Sequence, residues 1–374
     1  MMIWIWGVIL CVLVLVHLLT TGLCLWRYRS PTAAAPPPET CSAMVTLLRP
    51  VCGLDRFDAQ TLESSFTLEY PDYEVIFCAA QENDPAVAML RRLIARYPDT
   101  RAQLLIGDDP ITGNPKLNNL QKGWEVAQGQ WIAMADANLD LPTDYITRLL
   151  AVADAKTGLV TSPPIGVQAE GIWARVEGAF LNSFQARWQL AADSLGLGFA
   201  QGKTLCWRRE VLERAGGLVA LGHDLAEDVA STKAVRAQGL SVRVVRQPFA
   251  QPIGQRSFRA VWDRQLRWAR VRRDGFLAIF VAEIVLGPWL PVLCLTAIGG
   301  AWFVPAGLVL WYGVEWGLAR VAGWPHRPAD LVAMIVRDVL MPALWAVTWA
   351  RRGFEWRGSA MDRHGALVRP KVVE

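Results

Sequence analysis

Residues 3–26 (IWIWGVILCVLVLVHLLTTGLCLW) form an unbroken run without Asp, Glu, Lys or Arg. At about 1.5 Å per helical residue, such a run is long enough to cross the ~30 Å hydrocarbon core of a bilayer. A cleaved signal peptide would begin with its basic residues, have a shorter apolar stretch and end at a small-residue cleavage site. Here Arg27 and Arg29 follow the run, and Trp4, Trp6 and Trp26 bracket it. Residues 1–29 are therefore expected to be a signal-anchor helix, with the chain from 27 onward in the cytoplasm.

Charge divides the rest of the chain. Of the 72 charged residues none lies in 1–26, 56 lie in 27–275 and 16 fall in the last 99. The chain as a whole is 53% hydrophobic and 19% charged, against about 25% charged for an ordinary soluble domain. The middle thus has the make-up of a water-facing domain and the ends that of a membrane protein; disorder and a disulfide scaffold are excluded. A net charge of +4 gives no bulk attraction for nucleic acid, and none is expected as a partner. Seven cysteines without a CxxC pair point to reduced thiols, and histidines 17, 223, 326 and 364 have no ligand spacing.

Pro31 and Pro36–Pro38 mark a stiff tether over 30–40. In the domain that follows, 41–255, short apolar runs at 45–51, 74–80, 103–107, 130–135 and 158–162 alternate with helical patterns at 58–68, 85–98, 117–128 and 142–154. A late strand is expected at 241–246. The alternation predicts an α/β fold with a mostly parallel sheet and ligands at the strand C-terminal ends. Residues 276–350 are expected to be membrane helices, with 277–298 and 304–322 as a hairpin. The third apolar stretch, 329–350, carries Arg337 and Asp338 and should lie against protein or water. The tail 351–374 is basic, which predicts a cytoplasmic location.

Several residues stand where chemistry is expected. Asp84, after the second strand, fits a helix N-cap and also a nucleotide contact. Asp136 ends an apolar strand, with Asn138 two residues on; the pair suits a turn start or a hard divalent cation. Glu227 and Asp228 are either solvated helix acids or, at a pocket, the source of a general base. Lys116 sits at a helix N-terminus, where a cation is unfavourable unless an anion binds. Residues 256–273 hold seven arginines against Asp263, interleaved with Phe258, Trp262 and Trp268. As a helix, 258, 261, 262, 265 and 269 share one side. Such a helix suits anionic lipid, and Arg264 and Arg267 suit a diphosphate. No GxSxG, GxxxxGK[ST] or GxGxxG motif is present.

RPVCG at 49–53, YPDYEV at 70–75, NDP at 83–85, NPKLNNL at 114–120, DANL at 136–139, AED at 226–228 and RQLRW at 264–268 occur in the order and spacing of one family. With VRD at 336–338 and WRG at 356–358, the chain resembles the ceramide glucosyltransferases, glycosyltransferase family 21, over about 40–358. The resemblance implies a GT-A catalytic domain, related to Rossmann-like sheets, between N- and C-terminal membrane helices. It implies an inverting, UDP-sugar-dependent hexosyltransferase acting on the primary hydroxyl of ceramide. Transfer of GlcNAc or another sugar to a hopanoid is the alternative, and a non-catalytic nucleotide-sugar-binding membrane protein a third. Carried over, Asp84 is the nucleotide aspartate, Asp136 the ligand for Mg2+ or Mn2+ with Asn138 beside it, and Asp228 the catalytic base. Arg264, Arg267 and Trp268 match the (Q/R)xxRW motif; with Lys116 they are expected at the nucleotide-sugar. Glu227 and the intramembrane Asp338 are candidate acceptor contacts. Two departures stand out: DAN replaces a full DxD, and 185–195 has no histidine where the animal enzymes carry one. The expected place is the cytoplasmic face of a membrane, here the bacterial inner membrane.

Overall fold

A parallel sheet covered by helices on both faces needs strands that are apolar nearly throughout, and VTLLRPV and YEVIFCA come close, with Thr46, Arg49 and Glu74 as their buried polar exceptions. The computed structural model describes residues 2–29, 43–224 and 226–350, with the backbone of two short antiparallel strands at Phe354–Trp356 and Ser359–Met361. The expected tether over 30–40 lies outside the described residues, as does the basic tail apart from those two strands.

In chain order, α1 (Met2–Arg29) precedes β1 (Val45–Val51), α2 (Asp58–Glu63), β2 (Tyr73–Ala79), α3 (Pro85–Arg96) and β3 (Ala102–Ile106). Next come α4 (Pro115–Val126), β4 (Trp131–Ala135), α5 (Tyr145–Leu150), β5 (Thr157–Thr161) and β6 (Pro164–Glu170). Then α6 (Gly171–Ala179), a π-helical stretch (Phe180–Ala186) and α7 (Arg187–Ser194) run on as one rod. β7 (Thr204–Arg208), α8 (Arg209–Arg214), α9 (Gly217–Leu221), α10 (Glu227–Ala237), β8 (Ser241–Val244) and β9 (Phe249–Gln255) follow. The last helices are α11 (Phe258–Gly275), α12 (Leu277–Glu283), α13 (Trp289–Gly299), α14 (Val304–Val321) and α15 (Pro328–Ala350).

The chain forms two compact units, the first made of Met1–Ser30, Ile165–Ser194 and Ile253–Arg352 and the second of Pro31–Pro164, Leu195–Pro252 and Gly353–Glu374. The second unit contains a seven-stranded sheet in the order β3-β2-β1-β4-β7-β5-β8. It is the mostly parallel α/β sheet expected of a GT-A domain; β7 alone runs antiparallel, paired with β4 and β5. Alternate residues of each strand feed separate cores. Leu47, Phe77 and Ala133 join one cluster, while Leu48, Ile76 and Met134 join the other. Gly123 lets α4 lie close to β2, because a Cβ there would come within 2.6 Å of Cys78 Sγ.

In the first unit, α1 and α15 are each long and apolar enough to cross a membrane. The stretch 277–298 is not the single hairpin arm expected. It breaks at 284–288 into α12 and α13, around Gly287 and Pro288, where proline removes a helix donor. By contrast, 328–350 is one unbroken helix, and Arg337 and Asp338 are buried in protein at 1% and 4% exposure. The buried stripe of α11 is Val261, Gln265, Ala269 and Arg273, while Phe258 at its start is 43% exposed.

Candidate functional site

The second unit gathers charge at the C-terminal ends of its central strands. Asp84 caps α3: Oδ1 accepts from the Ala86 N–H at 2.8 Å, and Pro85 occupies the first helical turn. Its Oδ2 accepts from the Gly53 N–H at 2.7 Å, tying the end of β1 to the start of α3. NPKLNNL is explained similarly. Asn114 caps α4 through the Lys116 N–H at 2.9 Å, and Asn119 donates to the carbonyls of Val51 and Cys78 at 3.3 and 2.9 Å. These bonds aim Lys116 across the strand ends.

There Lys116 Nζ meets Asp136 Oδ1 and Glu227 Oε1, each at 2.7 Å, and donates to the Gly202 carbonyl at 3.0 Å. Asp136 also receives Lys203 Nζ on Oδ2 at 2.9 Å, and the same ammonium reaches Asn138 Oδ1 at 3.0 Å. Partial burial would raise the Asp136 pKa, but the two lysines hold it far below the usual carboxylate range. Burial would likewise lower that of Lys116, yet Asp136 and Glu227 raise it above the ordinary lysine value. Arg49, fully buried, props the 136–140 loop from below, donating to the carbonyls of Ala137 and Leu139 at 3.1 and 3.2 Å.

Glu227 and Asp228 open α10 and divide their work. Glu227 is held by Lys116 and by Asn114 Nδ2 at 3.2 Å. Asp228 instead accepts backbone N–H groups, from Gly202 on Oδ2 at 2.9 Å and from Val229 on Oδ1 at 2.8 Å. Burial, reinforced by the Glu227 charge, pushes the Asp228 carboxyl up to about 7. Gly202 fits here because a Cβ would stand 3.2 Å from Glu227 Oε1. A carboxylate with a pKa near neutrality can accept a proton from a hydroxyl and release it again.

Asp136 and Asn138, expected to hold Mg2+ or Mn2+, do not offer a dication open ligands in this arrangement. Both oxygens of Asp136 and the amide oxygen of Asn138 already face ammonium groups. A cation placed on them would stand ~4 Å from two like charges, each unit pair costing about 4 kcal/mol at an effective dielectric near 20. Among the described residues, no three His, Cys, Asp or Glu side chains group as an ion site.

No motif in the sequence marks Lys203. Its place follows from the antiparallel pairing of β7, in which Ala135 faces Thr204 and the Asp136 N–H donates to the Lys203 carbonyl at 3.1 Å. The apolar run TLCW was the available signal; that it pairs against β4 is a long-range fact.

The other expected residues lie in the first unit. On α11, Arg264 is ion-paired with Glu177, which is fully buried and also faces Arg256 Nε at 3.6 Å. Trp268 packs against Ala174, Leu181 and Ile253. Arg267 lies on the same helix, half-buried. Asp338 accepts from Arg337 through both oxygens, each at 2.8 Å. Arg337 reaches on to Ser183 Oγ at 2.7 Å and Glu315 Oε2 at 3.0 Å. Beside this cluster runs an apolar groove of about 550 Å³, lined by Trp289, Val292, Leu308, Tyr312, Trp316 and Ile335. Trp289 links the two, donating from Nε1 to the Asp338 carbonyl at 2.7 Å.

The sequence pattern of glycosyl transferase family 21 matches residues 8–365. Ceramide glucosyltransferase 1 of Caenorhabditis elegans is 27% identical over 274 residues, covering 73% of this chain and 58% of that protein. The ceramide glucosyltransferase of Komagataella phaffii is 28% identical over 243 residues, covering 56% and 47%. The chain thus spans about half the length of the curated relatives it matches. Among solved structures, a mannosyltransferase from Pyrobaculum calidifontis in complex with GDP-Man and Mn2+ is similar at 20% identity and a TM-score of 0.49, covering 89% of this chain and 99% of that one. With the family pattern spanning nearly its whole length, the chain belongs to glycosyl transferase family 21.

Proposed function

We propose that the protein transfers a hexose from a UDP-sugar to the primary hydroxyl of ceramide, with inversion at the anomeric carbon. The observation that carries this reading is the Glu227–Asp228 pair. One acid is tied to lysine, while the other is pushed up to a pKa of about 7 and accepts from the backbone N–H groups of Gly202 and Val229. Asp228 takes the proton of the acceptor hydroxyl as its oxygen attacks the anomeric carbon. The bond to the diphosphate breaks on the opposite face, and its electron pair leaves with UDP. Lys116 lowers the energy of that departing charge, and Asp84 holds the nucleotide end.

Arg264, Arg267 and Trp268 of the family motif have in this reading the chemistry of a diphosphate contact, Glu177 holding Arg264 in the absence of phosphate. The lipid chains of the acceptor occupy the apolar groove, their polar end toward Asp338. Membership of the family and the names of its relatives support the sugar and the acceptor. The two apolar helices α1 and α15 support a membrane setting, and Arg27 and Arg29 after α1 favour the cytoplasmic side.

Incubating the full chain in lipid with UDP-glucose, UDP-galactose and UDP-GlcNAc, each with ceramide or a hopanoid polyol, tests the reading by mass spectrometry of the lipid. Glucosylceramide is the expected product. A glycosylated hopanoid alone moves the acceptor assignment, and no transfer from any UDP-sugar overturns the enzymatic reading.

A further inference from the structure

We infer that Lys203 and Lys116 together form the cation pair that holds the diphosphate of the nucleotide donor, so that donor binding does not require a divalent ion at Asp136. The inference rests on the donor-transfer reading above and assigns Lys203 a binding role that its motif-free surroundings conceal. Three observations carry it.

The first is that Lys203 is fixed by the fold. It directly precedes β7, next to the Ala135–Thr204 pair of the antiparallel ladder, and its own carbonyl accepts from the Asp136 N–H. Its ammonium is therefore delivered to the tip of β4 by backbone register, not by a wandering surface arm. The second is the donor set. A hard dication prefers carboxylate oxygens, and DAN supplies one carboxylate and one neutral amide. Lys203 bridges those two groups, at 2.9 and 3.0 Å, while Lys116 covers the other oxygen of Asp136 at 2.7 Å. Two ammonium groups on one aspartate bring the same formal charge that a dication would bring. The third is access. The side chains of Lys116, Lys203 and Asp136 are 9%, 17% and 24% exposed, dry enough to strengthen an ion pair yet open to an arriving polyanion.

Asp136 then acts by holding both ammonium groups in place. An incoming diphosphate draws on the same donors, lysine serving as a point charge for phosphate oxygens. Loss of the second DxD carboxylate and presence of Lys203 are, on this account, two halves of one arrangement.

Calorimetric titration of the full chain in detergent with UDP, in EDTA and again in MnCl2, tests the inference. Wild-type protein is expected to bind UDP in EDTA within about threefold of its affinity in Mn2+. Lys203→Met is expected to lose about tenfold or more in EDTA, as for a hydrogen bond to a charged group. Lys203→Arg should retain most of the binding, and thermal melting should confirm that both variants are folded. Wild-type binding that appears only with Mn2+, or a folded Lys203→Met with undiminished affinity in EDTA, overturns the inference and leaves the transfer reading standing. Absence of UDP binding in both buffers overturns the transfer reading and the inference with it.

Discussion

Both units bury ionised side chains, yet they use them in opposite ways. In the first unit Arg337 is shared among Glu315, Asp338 and Ser183, and Arg187 lies 3.6 Å from Glu315 and 2.9 Å from His17 Nδ1. Arg187, Glu315 and Arg337 are 2% exposed or less, and charge balances charge at close range. In the second unit Asp136, Lys116, Lys203, Glu227 and Asp228 stay partly open to solvent near the strand ends. A dry, closed cluster fixes one packing of helices, because any lost partner leaves a charge without compensation. An open cluster can exchange its internal partners for those of a ligand. Ion pairing is thus structural in one place and exchangeable in the other.

The largest expected effect would come from the open cluster. Asp228→Asn removes the proposed proton acceptor while preserving shape, and transfer is expected to fall by roughly 10²–10⁴-fold. UDP affinity should be unchanged. A variant with wild-type turnover would place the base elsewhere and erase the functional half of the contrast.

Next is the closed cluster, where the effect should fall on folding. Arg337→Met removes the cation shared by Glu315 and Asp338, leaving Glu315 with Arg187 alone, and breaking a buried pair in this way costs about 3–5 kcal/mol. Thermal unfolding in detergent would report it as a large drop in midpoint. A midpoint near wild type would mean that water reaches this cluster and that the two regions differ less than their burial indicates.

The smallest effect concerns pH. As the proposed base, Asp228 would work deprotonated; burial with the Glu227 charge has raised its pKa, so activity should climb as pH rises through about 7, not near 4. Glu227→Gln removes the neighbouring negative charge and lowers the Asp228 pKa. The rising limb should move toward acid, by roughly half to one pH unit. An unmoved limb in the pH–rate profile would detach Asp228 from its neighbour.

The sequence displayed what local periodicity controls. Strands 45–51, 74–80 and 158–162 were legible because a doubly covered sheet needs continuous apolar runs, and Asp84-Pro85 announced a helix start in two residues. What escaped was non-local. β7 is short, and its antiparallel partner β4 lies some seventy residues earlier, so the proximity of Lys203 to Asp136 could not be read from spacing. The rod 171–194 contains a π-helical turn with no sequence punctuation. In the site, Asp136, Lys116, Glu227 and Asp228 were legible as candidates, and the fold brings them to one place. Which acid is tied to lysine, and which is left to take up a proton, depends on side-chain contacts alone.

The attachments of α1 bear on how such a chain is made. His17 contacts the Trp311 carbonyl across 294 residues, and Tyr28 accepts from Trp324 across 296. Arg27 meets Asp193 at 2.5 Å, 166 residues on. At about 5–20 residues per second, the ribosome needs roughly 15–60 s to deliver the last of these partners after α1 has emerged. Until then α1 holds His17 without its Trp311 contact, and for the first part of the interval Arg27 without Asp193, so the packing of α1 is completed only by late-made segments. Trimming 1–29 to obtain a smaller, water-soluble enzyme would therefore not remove a mere tether. It would take Arg27 from Asp193 and His17 from Arg187.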